Sequence, residues 1–279
     1  MNLWYSLCNA VPLEIFHWRF MQNALLAILV MAPLFGLMST MIVSGRMSFF
    51  SDALGHCAFT GIAIGSLCGL GSTTAVAVIF AIAFSLLFSY VQHRSNQTAD
   101  TLIGVFSSTA VALGIFVATL GGSSFTKFNK YLIGDILSVT PGEIGLLALV
   151  LLLVFAFWAI FSNRLSLASV HPQLAASRGV SLWLVQTLFT TMVAVVVTLA
   201  ISWVGLLIIN SLLVLPGASA RNVAKNMRQY HLLSVVFALV SSLCGLCISY
   251  YLGSSAGAAI CLVLAMVFAV TFIFRKVRL

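Results

Sequence analysis

The chain has 279 residues, of which 62% are hydrophobic and only 6% are charged. Soluble domains carry roughly a quarter charged residues, so this composition excludes a soluble globular protein. It also excludes intrinsic disorder, which requires far less apolar content. The six cysteines lie mostly inside apolar runs and indicate small buried side chains rather than a disulfide framework. The chain is therefore predicted to reside in a membrane.

The 13 basic and 5 acidic residues give a net charge of +8, which in a soluble protein would suggest a nucleic-acid partner. Here the basic residues are scattered between apolar runs, as expected for loops that keep positive charge on the cytoplasmic side of a membrane. We therefore expect membrane lipid, and no nucleic acid, as a partner.

Six long uncharged runs predict the number of membrane spans. A helix needs about 20 residues to cross the ~30 Å hydrocarbon core, so three runs hold one span and three longer runs hold two. Nine helices are preferred over eight, and the eight-helix alternative omits one unusually short helix that ends at Pro216. The runs lack the alternation of a membrane β-barrel, so the predicted fold is an all-α transmembrane bundle. The runs are 20–45, 57–92, 101–126, 144–163, 179–220 and 232–274.

Basic residues set an expected orientation but do not choose between the two helix numbers. Nine spans with a cytoplasmic C-terminus leave most Arg and Lys residues inside, and eight spans preserve a similar majority. Residues 1–19 are predicted to be an interfacial segment because they carry Trp4, Tyr5 and Trp18. Residues 20–279 are predicted to form a single transmembrane domain.

The sharpest local pattern is Asp52 followed four residues later by His56, where a helix is predicted to begin. This spacing places both side chains on one helical face. Ionisable groups that enter a membrane usually pair, face a cavity or bind an ion, and carboxylate with imidazole suits zinc, manganese or ferrous iron. Two such ligands are incomplete, but a second copy across a two-fold axis would make four. The alternative is that Asp52 caps the helix and complements its dipole while His56 lies at the interface.

Other polar residues give weaker signals. The Cys244-x-x-Cys247 pair predicts close helix packing in preference to a soft-metal relay. His17, His93, His171 and His231 are predicted to be solvated or to contact lipid headgroups. Asp135 and Glu143 would either accept basic residues of a partner or cap helices. These positions are Cys244, Cys247, His17, His93, His171, His231, Asp135 and Glu143.

Catalytic motifs are absent from the sequence. It contains no phosphate-binding G-x-x-x-x-G-K-[ST] loop, no H-E-x-x-H metalloprotease motif and no G-x-S-x-G nucleophile elbow. The chain is therefore not expected to be an enzyme or to hold a permanent cofactor.

Three segments form a combined signature: GRMSFFSDALGHCAFTG at 45–61, LIGDILSVTP at 132–141 and VGLLIINSLLVLPGASAR at 204–221. Together they resemble the metal-ion ABC importer permeases, the membrane subunits of bacterial zinc and manganese uptake systems. The order and spacing of the segments cover nearly the whole chain. The resemblance implies that Asp52 and His56 coordinate the transported metal. Thr60 stands where manganese-type members often have proline, which favours zinc.

The resemblance also implies that 164–180 is a cytoplasmic loop that couples the permease to its ATPase. Its core is HPQLAASRGV at 171–180. Pro172, Ala175 and Gly179 are its expected coupling residues, since small Ala175 and Gly179 at i, i+4 would let a short helix sit in a groove of the ATPase. The alternative is an ordinary interfacial helix. A cytoplasmic position for this loop favours nine spans.

The function implied by the resemblance is ATP-driven import of a divalent metal across a bacterial inner or plasma membrane. The expected partners are a separate ATP-binding-cassette ATPase, an extracytoplasmic metal-binding protein and a second permease copy, most simply in a homodimer. The transported metal would be zinc by preference, then manganese or iron. The alternative is a stand-alone secondary cation transporter, although such carriers usually have more intramembrane acids and repeated halves.

Overall fold

The structure is a computed structural model, and it describes residues 4–5, 18–69, 72–120, 136–170 and 172–276. Ten helices account for nearly all of these residues and none of them is in a β-strand, so the predicted all-α fold class is confirmed. The helices are α1 (Arg19–Ser44), α2 (Phe50–Leu67), α3 (Thr73–Arg94), α4 (Ala99–Leu120), α5 (Pro141–Val170), α6 (Pro172–Ser177), α7 (Leu182–Val204), α8 (Leu206–Val223), α9 (Met227–Leu252) and α10 (Ala256–Lys276). Helices suit such apolar runs because a bilayer offers no water to satisfy backbone N–H and C=O groups.

Eight helices in the described part of the chain are long and apolar enough to cross a membrane: α1, α3, α4, α5, α7, α8, α9 and α10. Helix α2 is not among them, although it is as long as α8, at 18 residues. Its polar side chains, above all Asp52 and His56, lower its hydropathy. The choice between eight and nine spans therefore concerns α2. The sequence places the ambiguity at the short helix before Pro216, but that helix is counted among the eight as α8, so the preferred prediction that it spans the membrane is supported.

Pro216 lies inside α8, which continues to Val223, so the predicted helix end at this proline is wrong. A proline inside a helix removes one backbone donor and displaces the carbonyl of the preceding turn. The Ser39 hydroxyl of α1 compensates, because it accepts a hydrogen bond from the Gly217 N–H at 2.9 Å and donates one to the Val214 carbonyl at 3.4 Å. Neighbouring hydroxyl groups commonly allow membrane helices to continue past proline in this way.

The described residues divide into two compact units, each built from separate stretches of the chain. The first unit contains the residues up to Thr40 and those within Ile133–Phe155 and Trp203–Leu279. The second contains those within Met41–Leu132 and Ala156–Ser202. Helix α2 and the segment around α6 therefore belong to the second unit.

In the second unit, α2 packs against both α3 and α4. A Cβ atom built on Gly61 of α2 would meet the Ala77 Cα of α3 at 2.5 Å, so the two backbones approach closely only because this residue is glycine. Small residues commonly allow such approaches in membrane proteins, where van der Waals packing drives helix association.

A series of polar side chains joins α3 to α7 in the same unit. Ser85 hydrogen-bonds to Thr191 at 3.2 Å, and Ser89 hydrogen-bonds to Thr187 one turn further along α3. At the end of the series, the Gln186 amide donates to the Gln92 carbonyl oxygen at 3.0 Å. These bonds satisfy polar groups that would otherwise face an apolar environment.

In the first unit, α8, α9 and α10 pack against one another. Two hydrogen bonds to Thr40 hold α1 to α9. The Tyr230 hydroxyl donates to the Thr40 carbonyl at 3.1 Å, and the Thr40 Oγ1 lies 2.8 Å from the His231 Nδ1. Near the start of α1, Trp4 donates to the Gln22 carbonyl at 3.0 Å. The aromatic side chain of the predicted interfacial segment therefore contacts the first helix.

Candidate functional site

The first turns of α2 bring Asp52 and His56 together. The Asp52 Oδ2 and His56 Nε2 atoms lie 3.5 Å apart, and the side chains keep 45% and 27% of their surface exposed. The i, i+4 spacing on a regular helix produces this approach. The pair therefore offers one carboxylate and one imidazole to the same point, and both remain partly accessible.

The helix-capping alternative for Asp52 is only partly met. The N-cap residue of α2 is Phe49, whose side chain makes no capping hydrogen bond, and Asp52 lies in the first turn instead. A carboxylate in that turn is still favoured by the helix dipole. Asp52 can therefore stabilise the start of α2 and also face His56.

Glu143 is a true capping residue. Its Oε2 accepts hydrogen bonds from the backbone N–H and the hydroxyl of Thr140, at 2.7 and 2.8 Å. Thr140, three residues earlier, precedes the first residue of α5, so the two form a capping box. Of the two roles predicted for Glu143, the structure shows the cap.

The Asp52–His56 pair supplies only part of a metal coordination shell. Among the described residues, no group of three or more His, Cys, Asp or Glu side chains lies close enough to hold a metal ion. Transition-metal sites usually require at least three protein ligands. Further ligands would have to come from outside the described residues, from another molecule or from solvent.

Thr60 fixes α2 one turn beyond His56. Its fully buried hydroxyl lies 2.7 Å from the Ala110 carbonyl of α4 and 3.0 Å from the His56 carbonyl. Gly114 makes room for this contact, since a Cβ atom there would meet the Thr60 Oγ1 at 2.6 Å. The threonine thus ties the backbone of a candidate ligand to the neighbouring helix. The sequence singles out Thr60 only as a departure from proline and does not reveal this bond.

The segment predicted to couple to an ATPase contains the short helix α6. Ala175 is fully buried within the chain, whereas Leu174 is 44% exposed. The helix ends at Ser177, and Gly179 adopts a left-handed φ of 73° that closes its C-terminus. Ala175 and Gly179 therefore do not share a helical face, contrary to the prediction. The exposed residues of α6 are instead Gln173, Leu174, Ala176 and Ser177.

The other histidines and the two cysteines named from the sequence are not part of the Asp52–His56 pair. His93 lies on the exposed end of α3 with its ring centroid 6.0 Å from that of Trp183. His231 bonds Thr40 as described above, so it is not simply solvated. Cys244 and Cys247 are free thiols, the first exposed and the second partly buried. His17, Asp135 and His171 lie outside the described residues.

Comparisons with known proteins agree with the helical fold. The profile of the ABC 3 transport family matches residues 17–275. The manganese import system permease protein ScaB of Streptococcus gordonii is 31% identical over 255 residues, covering 91% of each chain. The high-affinity zinc uptake system membrane protein ZnuB of Haemophilus influenzae is 24% identical over 256 residues, covering 92% of this chain and 97% of that protein.

A solved structure shares the same architecture. PsaBC from Streptococcus pneumoniae, in complex with Fab, superposes with a TM-score of 0.80 at 27% sequence identity. The match covers 98% of this chain and 95% of the other. The chain is therefore a multi-pass protein of the plasma membrane and belongs to the ABC 3 transport family, the metal-importer permeases that its three signature segments resemble.

Proposed function

We propose that this chain is the permease subunit of an ATP-binding-cassette importer that carries a divalent transition metal ion, manganese or zinc, into the cytoplasm. Membership of the family and the named roles of ScaB and ZnuB support this function. The observation that carries it is the Asp52–His56 pair, a carboxylate and an imidazole 3.5 Å apart on α2, the 18-residue helix that is not among the eight apolar spans.

The chemistry of the pair suits a transported ion. Carboxylate oxygen and imidazole nitrogen are ligands for both zinc and manganese, so they do not by themselves select one. A second copy of the chain across a two-fold axis would contribute the same two residues and complete four ligands. Partial exposure of both side chains would let the ion enter and leave, which import requires.

The zinc preference implied by Thr60 is balanced by the relatives. ScaB, named as a manganese permease, is more similar to this chain than ZnuB is, at 31% against 24% identity. We therefore keep both metals in the proposal, and a direct comparison of their uptake decides between them.

Energy for import would come from a separate ATPase subunit that docks on the coupling segment at 164–180. Leu174 is the large apolar side chain that α6 exposes, and the polar residues Gln173 and Ser177 are exposed on the same short helix. An exposed apolar residue on a polar rim is typical of a docking surface. A soluble metal-binding protein would deliver the ion from the opposite side of the membrane.

The test is metal accumulation in cells that lack their own high-affinity uptake and express this chain with its candidate ATPase and binding protein. Radioactive manganese and zinc are supplied separately. Asp52→Asn and His56→Gln should each lower uptake about tenfold or more. Removing a residue that only hydrogen-bonds to a metal ligand already lowers metal affinity about tenfold, and loss of a ligand itself should cost at least as much.

The matched control is Asp100→Asn. Asp100 also lies in the first turn of its helix, α4, but position 104 there is glycine, so no imidazole faces it. Uptake should be unchanged in this variant. Equal uptake in all three variants would contradict the assignment of Asp52 and His56 as metal ligands. Uptake that continues without the ATPase would show that the chain is a secondary cation transporter and not an importer subunit.

A further inference from the structure

Arg46 occupies a backbone position that normally belongs to glycine. Its φ of 55° lies in the left-handed region, and the other described residues with such φ values are all glycines: Gly69, Gly179, Gly205 and Gly253. The strain arises where α1 ends. The Met47 N–H donates to the Ile42 carbonyl at 3.0 Å and the Arg46 N–H to the Val43 carbonyl at 3.3 Å, which is the Schellman arrangement.

Glycine would fit this position better than arginine. Left-handed backbone costs a residue with a Cβ atom, and glycine adopts it freely. The preceding residue is itself a glycine, Gly45, so the chain places its glycine one position too early to relieve the strain. Strained backbone that persists in a structure often serves a function, and the residue that carries the strain here is an arginine.

A cavity of about 390 Å³ opens beside Arg46, within the second compact unit. Its wall comes from the ends of α1 and α5 and the start of α7. The wall is largely apolar, and five of its members are buried: Met41, Met47, Leu165, Val185 and Phe189. Of its polar residues, Ser169 donates to carbonyls of its own helix.

The charge of this cavity suits an anion. Arg46 is the charged residue among those described that line it, and no acidic side chain contributes to the wall. A single positive charge in the wall disfavours a divalent cation. Asp52 and His56 do not line it either. A cationic mouth above an apolar wall fits a molecule with an anionic head and a hydrocarbon tail.

Basic residues near the cavity indicate which surface of the membrane it faces. Arg164 precedes the lining residue Leu165, and Arg94 lies two residues after Gln92, which bonds Gln186 in the cavity wall. Clustered basic residues at helix ends favour the cytoplasmic surface of a membrane, where anionic phospholipids are enriched.

We propose that the cavity beside Arg46 binds one anionic phospholipid, with the lipid phosphate on the Arg46 guanidinium and part of an acyl chain against the apolar wall. The strained backbone holds the guanidinium at the headgroup level. Three wall residues, Leu165, Ala168 and Ser169, fall within the proposed coupling segment at 164–180, but no residue of the candidate metal pair takes part, so lipid binding can be tested separately from metal transport.

The test uses the full chain in detergent, titrated with dioleoylphosphatidylglycerol and read by native mass spectrometry. The wild type should retain one phosphatidylglycerol more firmly than dioleoylphosphatidylcholine. Arg46→Gly should weaken that retention about fivefold, since one basic residue near an anionic surface contributes about that factor. Arg46→Lys should keep most of it. Arg94→Gln is the matched control, an exposed arginine outside the cavity wall, and should behave as the wild type.

Misfolding does not explain the expected loss, because Arg46→Gly removes strain and should leave thermal stability in phosphatidylcholine equal or higher. Equal retention of both lipids, or equal loss in Arg46→Gly and Arg94→Gln, would overturn the proposal. Displacement of phosphatidylglycerol by millimolar glycerol 3-phosphate would overturn the lipid as occupant and leave a phosphate site. Loss of ATPase co-purification in Arg46→Gly, with lipid retention unchanged, would assign the arginine to a protein partner.

Discussion

The Ser39 hydroxyl lies 2.9 Å from the backbone nitrogen of Gly217, immediately after the proline inside α8. Space at this contact is minimal, since a Cβ atom on Gly217 would meet the Ser39 Oγ at 2.6 Å and the Ser39 carbonyl oxygen at 2.7 Å. One small residue and one hydroxyl therefore together allow α8 to continue past Pro216.

Replacing either residue of this contact should destabilise the fold. Ser39→Ala leaves a buried backbone N–H without its acceptor and should cost about 1 kcal/mol. Gly217→Ala overpacks against backbone atoms and should cost about 2 kcal/mol. Thermal unfolding in detergent measures both. Gly104→Ala is the control, because that helical glycine faces open space and alanine there should be neutral or stabilising. Similar melting temperatures for all three variants would contradict the assigned contact.

Thr60→Val should clearly lower the rate of metal uptake while lowering the stability of the fold only slightly. Valine keeps the shape but cannot donate to the Ala110 carbonyl, so α2 loses its bond to α4 one turn beyond His56. The stability loss should be about 1 kcal/mol. Thr60→Ser keeps the hydroxyl, so its uptake should stay close to that of the wild type. The measurement is the rate of manganese and zinc uptake at equal membrane expression, and uptake by Thr60→Ser as low as that of Thr60→Val would indicate a packing role alone.

Exchange of the candidate ligands should shift metal preference in opposite directions. Asp52→Cys introduces a soft thiolate and should raise zinc uptake relative to manganese, whereas His56→Asp gives two carboxylates and should favour manganese. The ratio of radioactive zinc to manganese accumulated by the same cells measures the shift. Cysteine placed at Asp100 in place of aspartate controls for an added thiol. A shift in the same direction for both ligand variants would argue against direct coordination.

The exposed leucine of α6 should matter for coupling and not for folding. Leu174→Ala should reduce both co-purification of the ATPase and uptake, because an anchor side chain at an interface typically contributes more than 1 kcal/mol. Leu188→Ala provides a control of similar exposure, 46% against 44%, on the apolar surface of α7. If the two variants bind the ATPase equally well, the docking surface lies elsewhere.

Much of the fold follows from the sequence because long apolar runs leave helices as the main option in a bilayer. The Asp52–His56 pair follows as well, since i, i+4 spacing on a helix determines that two side chains meet. Prediction was wrong at Pro216 because the compensating hydroxyl of Ser39 comes from a distant helix. No local pattern reports such a partner.

The same limit explains the coupling segment and Thr60. Spacing alone puts Ala175 and Gly179 on one face, but the left-handed φ of Gly179 ends the helix before the face is formed. Thr60 reads as one polar residue in an apolar helix until the approach of α4 at Gly114 is known. Contacts between helices, unlike periodicity within one, depend on which helices become neighbours.

The modest hydropathy of α2 has a consequence for how the protein is made. Membrane insertion sorts segments by hydrophobicity, and polar side chains such as Asp52 and His56 oppose entry of α2. Thirteen residues of α2 are buried, and α3 and α4 pack against it, so its neighbours supply the apolar cover that it lacks. We therefore expect stable insertion of α2 to require synthesis of the chain as far as Leu120, where α4 ends. The candidate metal pair would then reach its final position only once three successive helices are present in the membrane.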